Sequence, residues 1–223
     1  AKAAEAGLKD KFANYFKVGN ILNGGTVRNS AITANILKDC NSVECENETK
    51  PDATLVQSGS TDTNIQVRDS SFAKIADWCA QNGLGFRGHT MVWHSQTPEW
   101  FFKEDFDEKK DYVSPEKMTK RMENYIKSYF ETLTALYPDI DFYACDVVNE
   151  AWQNDGTPRK PGHCGQSNNY EASDWVAVYG DNSFIDYAFR YARKYAPEGC
   201  KLYYNDFNEY MGKKDAICEM AER

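Results

Sequence analysis

The chain has 223 residues, 41% of them hydrophobic and 27% charged, with a net charge of −8 and an isoelectric point near 5.0. Such a length suits a sizeable hydrophobic core, and no run approaches the ~18 consecutive apolar residues that would suggest a membrane span. An acidic chain without a basic run repels phosphate backbones, so neither a membrane nor nucleic acid is expected as a partner.

Taken in chain order, the sequence predicts a first helix around residues 5–16, with Leu8 and Phe12 on its inner face. Strand-like runs follow at 16–22 (FKVGNIL) and 42–47 (SVECEN), and the polar stretch 52–68 reads as a loop inserted after the second strand. Residues 70–83 place Phe72, Ile75, Ala76 and Cys79 on one helical face and stop at Gly83. A third strand is expected at 85–93 (GFRGHTMVW). The next helix, 114–138, opens with Ser114 as cap and Pro115 as first helical residue. Met118, Met122, Tyr125, Ile126, Tyr129, Leu133 and Leu136 line its inner side until Pro138. A fourth strand covers 141–148 (DFYACDVV), and 153–174, rich in Gly, Pro and Asn, reads as a second surface loop. A helix within 182–199 carries Ile185, Ala188, Phe189 and Ala192 inward, before a fifth strand at 201–207 (KLYYNDF).

Alternation of strands and helices argues for an α/β fold, a parallel sheet with helices packed outside it. No linker or internal repeat interrupts the chain. The seven cysteines form neither a CxxC nor a zinc-finger spacing. An odd number leaves at least one unpaired within the chain, and Cys79 and Cys145 read as small core residues. Disulfide pairing stays open. The start at Ala1 fits a processed secreted protein, and equally a chain whose leader had already been removed.

Polar residues gather at the C-terminal ends of four expected strands, in ECENETK, RGHTMVWHSQ, DVVNEAW and YYNDFN. In a parallel barrel those ends share one rim, which is where such folds place their chemistry. Glu150 follows an apolar strand, and ionised carboxylates are almost never buried without a partner. It therefore belongs to a polar ring at the mouth rather than to the core. Several residues have a blander meaning. His89 and His94 lack a third metal ligand and, five apart on a strand, face opposite ways. His163 reads as a solvated loop residue, Trp78 and Trp100 as packing, and Asp206 and Glu209 as loop carboxylates without a task. A dinucleotide-binding fold is excluded because NILNGGTVRN, not G-x-G-x-x-G, follows the first strand.

GHTMVWHSQTPEW (88–100), DVVNEAW (146–152) and LYYNDFN (202–208) together resemble glycoside hydrolase family 10, the retaining endo-β-1,4-xylanases. ECENETK (44–50) is similar to that family's second-strand Glu-Asn-x-x-Lys, and WVAVYGDNSFIDYAFRYAR (175–193) to its fifth-unit approach. The resemblance runs from about residue 8 to the end of the chain. It implies a (β/α)8 TIM barrel, with these residues supplying the N-terminal five βα units of the catalytic domain and 52–68 and 153–174 as loop insertions.

By the same resemblance Glu150 is the general acid/base, and Asn149 holds the 2-hydroxyl of the sugar being cleaved. Glu46, Asn47 and Lys50 hold sugars on the non-reducing side. His89 and Trp93 form the base and wall of the cleavage subsite, Gln96 and Asn205 line it further, and Asp146 stands behind them. Thr49 and Pro51 depart from the family pattern, which has a large apolar or aromatic residue near the Lys. The family's nucleophilic Glu on strand seven, its Gln-x-His on strand six and its tryptophans after strand eight have no counterpart in this sequence. The nucleophile is therefore expected beyond residue 223, in the missing C-terminal part of the same enzyme or in another polypeptide, and the chain alone is expected to be inactive. Xylan or xylo-oligosaccharides are the implied partners, with no cofactor and no metal, in a secreted, extracellular setting. A β-1,4-glucanase of the same fold and a non-catalytic xylan-binding fragment are the alternatives.

Overall fold

A computed structural model of the chain describes residues 5–165 and 169–223. Gly19–Leu22, Ser42–Cys45, Gly85–Trp93, Asp141–Asn149 and Lys201–Asn205 form a five-stranded sheet in that order. Each neighbouring pair is parallel. Parallel neighbours need a crossover, which the helices Ser30–Asp39, Ala73–Asn82, Pro115–Leu136 and Phe184–Tyr195 supply. The third and fourth strands are buried over most of their length because helices and barrel interior cover both faces.

Helix Pro115–Leu136 shows how the sequence builds one unit. Ser114 accepts from the Lys117 N–H, Pro115 occupies the first turn, and Met118, Met122, Tyr125, Ile126, Tyr129 and Leu133 face the core. Leu136 is instead 54% exposed, because the helix ends there. Tyr137 turns inward in its place and donates to Asp69 Oδ2 at 2.8 Å. Helix Ala73–Asn82 starts three residues later than the apolar spacing suggests and stops on Gly83, whose φ of 63° suits glycine.

Other expectations are corrected. The helix around 5–16 is a single turn, Leu8–Lys11, and Leu8 and Phe12 are exposed. One turn closes too few hydrogen bonds to propagate. Helix Ser30–Asp39 stands where no helix was expected; Asn29 caps it by accepting from Ala31 and Ile32 N–H. Only Ile36 is buried on it, so its periodicity is faint. The stretch 52–68 is a turn of helix, Pro51–Thr54, and an antiparallel hairpin, Leu55–Thr61 with Asn64–Val67. Arg121, from the long helix, reaches Asp62 at 2.6 Å and ties the hairpin down.

The second excursion is not purely surface. Lys160–Pro161 pairs with Ala172–Ser173, and Arg159, Cys164 and Asp174 are buried. Residues 166–168 of this expected loop lie outside the described residues. All seven cysteines are unbridged, six of them buried and Cys218 exposed.

Candidate active site

Register decides which side chains meet at the rim. Trp93 pairs with Asn149 and Asn149 with Asn205, so three strands end level with one another. The Asn205 amide donates to Asn149 Oδ1 at 2.9 Å. Turned over, with Asn205 turned alongside it, the Asn149 amide would meet Trp93 Nε1 at 3.2 Å and the Asn205 carbonyl at 3.1 Å. Either way round, Asn149 is tied to the fifth strand.

Glu150, the next residue, leaves the sheet in the left-handed region with φ 53°. For a residue with a Cβ that conformation costs about 1–2 kcal/mol. Its N–H donates to the Asn205 carbonyl at 2.8 Å, and its carbonyl accepts from Arg159 Nε at 2.7 Å. This turn swings the carboxylate into a cleft of about 960 Å³, where Trp93 Nε1 donates to Oε2 at 3.0 Å. Trp93 is itself fixed from behind: its carbonyl accepts from Trp175 Nε1 at 3.1 Å and from Thr97 Oγ1 at 2.8 Å.

On one side of Trp93 lies a polar triangle. Lys50 Nζ donates to Asn47 Oδ1 at 2.8 Å and to Gln96 Oε1 at 3.0 Å, and lies 4.9 Å from the centre of the Trp93 ring. Burial lowers the Lys50 pKa, against the opposing pull of Asp52, Glu150, Glu46 and Glu44. Asp52, in the same cleft, is raised by burial. Glu46 turns to Asn23, accepting from its Nδ2 at 2.7 Å.

Deeper in the barrel, His89 Nδ1 lies 3.0 Å from Oδ2 of the buried Asp146. Glu44, His89 and Asp146 bring ligand-type atoms within 4.8 Å of one another, a grouping that could hold a cation. Arg87 already occupies it: its guanidinium bonds both Asp146 oxygens and lies 3.3 Å from Glu44. The positive charge at this point is a side chain. Burial raises the Glu44 pKa, the His89 and Arg87 charges opposing it.

The nine residues singled out from sequence thus fall into separate groups: Asn47, Lys50 and Gln96; Trp93, Glu150, Asn149 and Asn205; His89, deeper, on Asp146; and Glu46 on Asn23. Sequence reasoning missed several neighbours. Arg159 holds the Glu150 carbonyl. His94, buried at the cleft edge-on to Trp93, has no partner for Nδ1 among the described residues, and its pKa is held down to about 2, mainly by burial. Asp206, read as an idle loop carboxylate, pairs with Lys213 at 2.7 Å in full burial. His163, read as solvated, sits 2.7 Å from buried Asp174. No local pattern marks these residues, since each partner is distant in sequence or follows an irregular loop.

A sequence profile of glycosyl hydrolase family 10 matches residues 7–223. Among curated relatives, endo-1,4-beta-xylanase Y of Acetivibrio thermocellus is 54% identical across 98% of this chain and 21% of its own length. The bifunctional endo-1,4-beta-xylanase XylA of Ruminococcus flavefaciens is 42% identical across 96% of this chain and 22% of its own. Among solved structures, the Clostridium thermocellum endo-1,4-beta-D-xylanase 10B, determined as CBM22-1 and GH10 modules complexed with xylohexaose, superposes with a TM-score of 0.93. It is 53% identical, over 99% of this chain and 43% of that one. The chain belongs to glycosyl hydrolase family 10. It spans about a fifth of the length of these curated relatives, and its parallel sheet matches part of the family's TIM barrel.

Proposed function

We propose that this chain carries the acid/base side of a retaining endo-β-1,4-xylanase site. The observation that supports it best is the Glu150 carboxylate, turned into the cleft by a left-handed backbone and held by Trp93 Nε1 beside Asn149. In the first step protonated Glu150 gives its proton to the glycosidic oxygen as that bond breaks, and a second carboxylate forms a glycosyl ester at the anomeric carbon. In the second step Glu150, now a carboxylate, takes a proton from water as the water's oxygen displaces the ester. The two carboxyls then stand about 5 Å apart. The second is the family's nucleophilic Glu, carried by a strand outside residues 1–223, so the chain alone is inactive.

Asn149 would hold the 2-hydroxyl of the sugar under attack, a contact that tightens in the transition state. Glu46, Asn47, Lys50 and Gln96 would bind sugars on the non-reducing side. His89 and Trp93 would floor and wall the cleavage subsite, with Asp146 orienting His89 and Asn205 steadying Asn149. The xylohexaose bound in the related Clostridium thermocellum structure supports xylo-oligosaccharides as the ligand class. A polymer of this kind is met outside the cell, so secretion accompanies the proposal.

The test is Glu150→Ala in the full-length enzyme carrying these residues. Xylan hydrolysis is expected to fall by about 10²–10⁴-fold while xylohexaose binding, read by calorimetry, persists. Retained hydrolysis overturns the assignment.

A further inference from the structure

The turn that carries Glu150 is gripped by a hydrogen-bonded chain that no step of the proposed reaction uses. Beyond the bonds to Asn205 and Arg159, the next amide, Ala151 N–H, donates to the Tyr204 hydroxyl at 3.0 Å. That hydroxyl in turn donates to Asp206 Oδ2. Asp206 Oδ1 accepts from Lys213 Nζ at 2.7 Å and from the Phe207 N–H at 2.8 Å. Asp206 and Lys213 have side-chain exposures of 1% and 0%.

Polarity along this chain is forced. Lys213 has no acceptor to offer and Asp206 only accepts, so the Tyr204 proton must point at Asp206. Its lone pair is left to face Ala151. Burial, helped by the Asp206 charge, raises the Tyr204 pKa far above the ordinary value, so the hydroxyl keeps the proton it donates. A wholly buried ion pair is a poor source of stability, since desolvation offsets attraction, but it fixes the direction of whatever it bonds. A left-handed Glu reverts to a commoner conformation unless its flanking peptide groups are captured.

We propose that Tyr204, backed by the Asp206–Lys213 pair, is a positioning residue that holds the Glu150 turn so that its carboxyl meets the leaving oxygen. The inference rests on Glu150 being the acid/base. Without the hydroxyl, Ala151 N–H loses its acceptor and the turn relaxes. The effect falls on proton transfer and spares the attack on the anomeric carbon.

The test compares two substrates in the full-length enzyme: xylohexaose, whose leaving sugar needs a proton, and 2,4-dinitrophenyl β-xylobioside, whose phenolate leaves without one. In each case kcat/KM reads the first chemical step. Tyr204→Phe is expected to lower kcat/KM on xylohexaose by about tenfold or more and to leave the aryl substrate within about twofold, a milder copy of Glu150→Gln. Lys213→Met is expected to move the ratio the same way. Because the ratio of the two rates is independent of how much enzyme is folded, partial unfolding cannot imitate the result. Equal losses on both substrates, or none, overturn the positioning role. If Glu150→Gln leaves xylohexaose cleavage intact, the acid/base assignment falls first and this inference with it. If Glu150→Gln behaves as expected and Tyr204→Phe does not, only this inference falls.

Discussion

Trp93 Nε1 donates to Glu150 Oε2 at 3.0 Å, although the two residues are 57 positions apart in the chain. The indole lines the cleft and bonds the proposed proton donor, so its N–H and its surface can be separated experimentally. In Trp93→Phe the aromatic wall remains but the donor is lost. A hydrogen bond to a charged group is worth about 1.5–3 kcal/mol, so kcat/KM on xylohexaose is expected to drop roughly 10–100-fold in the full-length enzyme. An unchanged value would mean that this bond has no part in the reaction.

Lys50 is held by Asn47 and Gln96 and lies over the Trp93 ring. Lys50→Met keeps the stem and removes the charge and donors. The expected outcome is a rise in KM of about 5–30-fold, as one or two polar contacts are lost, with kcat nearly constant. Steady-state kinetics on xylohexaose distinguish this from a loss confined to kcat, which would contradict a role in uniform sugar binding.

The pH dependence of stability is expected to carry a signature from His163. Its bond to Asp174 raises its pKa above the ordinary 6.5, and Glu99 and Glu108 add to that. Asp174, which also accepts from Tyr112, is raised as well, because burial outweighs those two bonds. The two shifts act in separate windows, the carboxyl's beginning at its own ordinary value of 3.8. A histidine with a raised folded pKa lends stability that is fully present below 6.5 and is lost as pH rises through the folded value. Urea unfolding of wild type and His163→Gln is therefore expected to show the larger gap near about pH 6 and a shrinking gap towards about pH 8.5. A gap that widens with pH would reverse the sign and discard the pair as its cause.

The first and fifth strands each have a neighbour on one side only among the described residues. Tyr203, on the last strand, is exposed, as are Tyr15 and Phe16 before the first. Unpaired strand edges invite association. The isolated 223-residue chain is expected to release no reducing sugar from xylan and to self-associate, as sedimentation would show. Turnover by this chain with no partner added would overturn the assignment of the nucleophile to a strand elsewhere.

Two elements lie where their local signals place them. The third strand, Gly85–Trp93, runs over the expected residues, and Ser114 with Pro115 marks the start of the long helix, because caps, prolines and apolar spacing act within a few residues. The polar strand ends also pointed to the rim, since a parallel sheet puts all C-terminal ends on one side. Helix Ser30–Asp39 and the hairpin after residue 54 escaped notice because they bury few side chains and so carry little periodicity.

By itself, the sequence determined the family, the succession of the five parallel strands, and which residue types arrive at their C-terminal ends. Only the tertiary structure decided that Trp93 bonds Glu150, that Arg87 fills the gap between Glu44 and Asp146, and that Asp206 is buried on Lys213 rather than idle. The reason is one of range. Backbone preference and side-chain alternation act between near neighbours, whereas the partner of a buried charge is chosen by strand register and desolvation, which exist only once distant segments have packed.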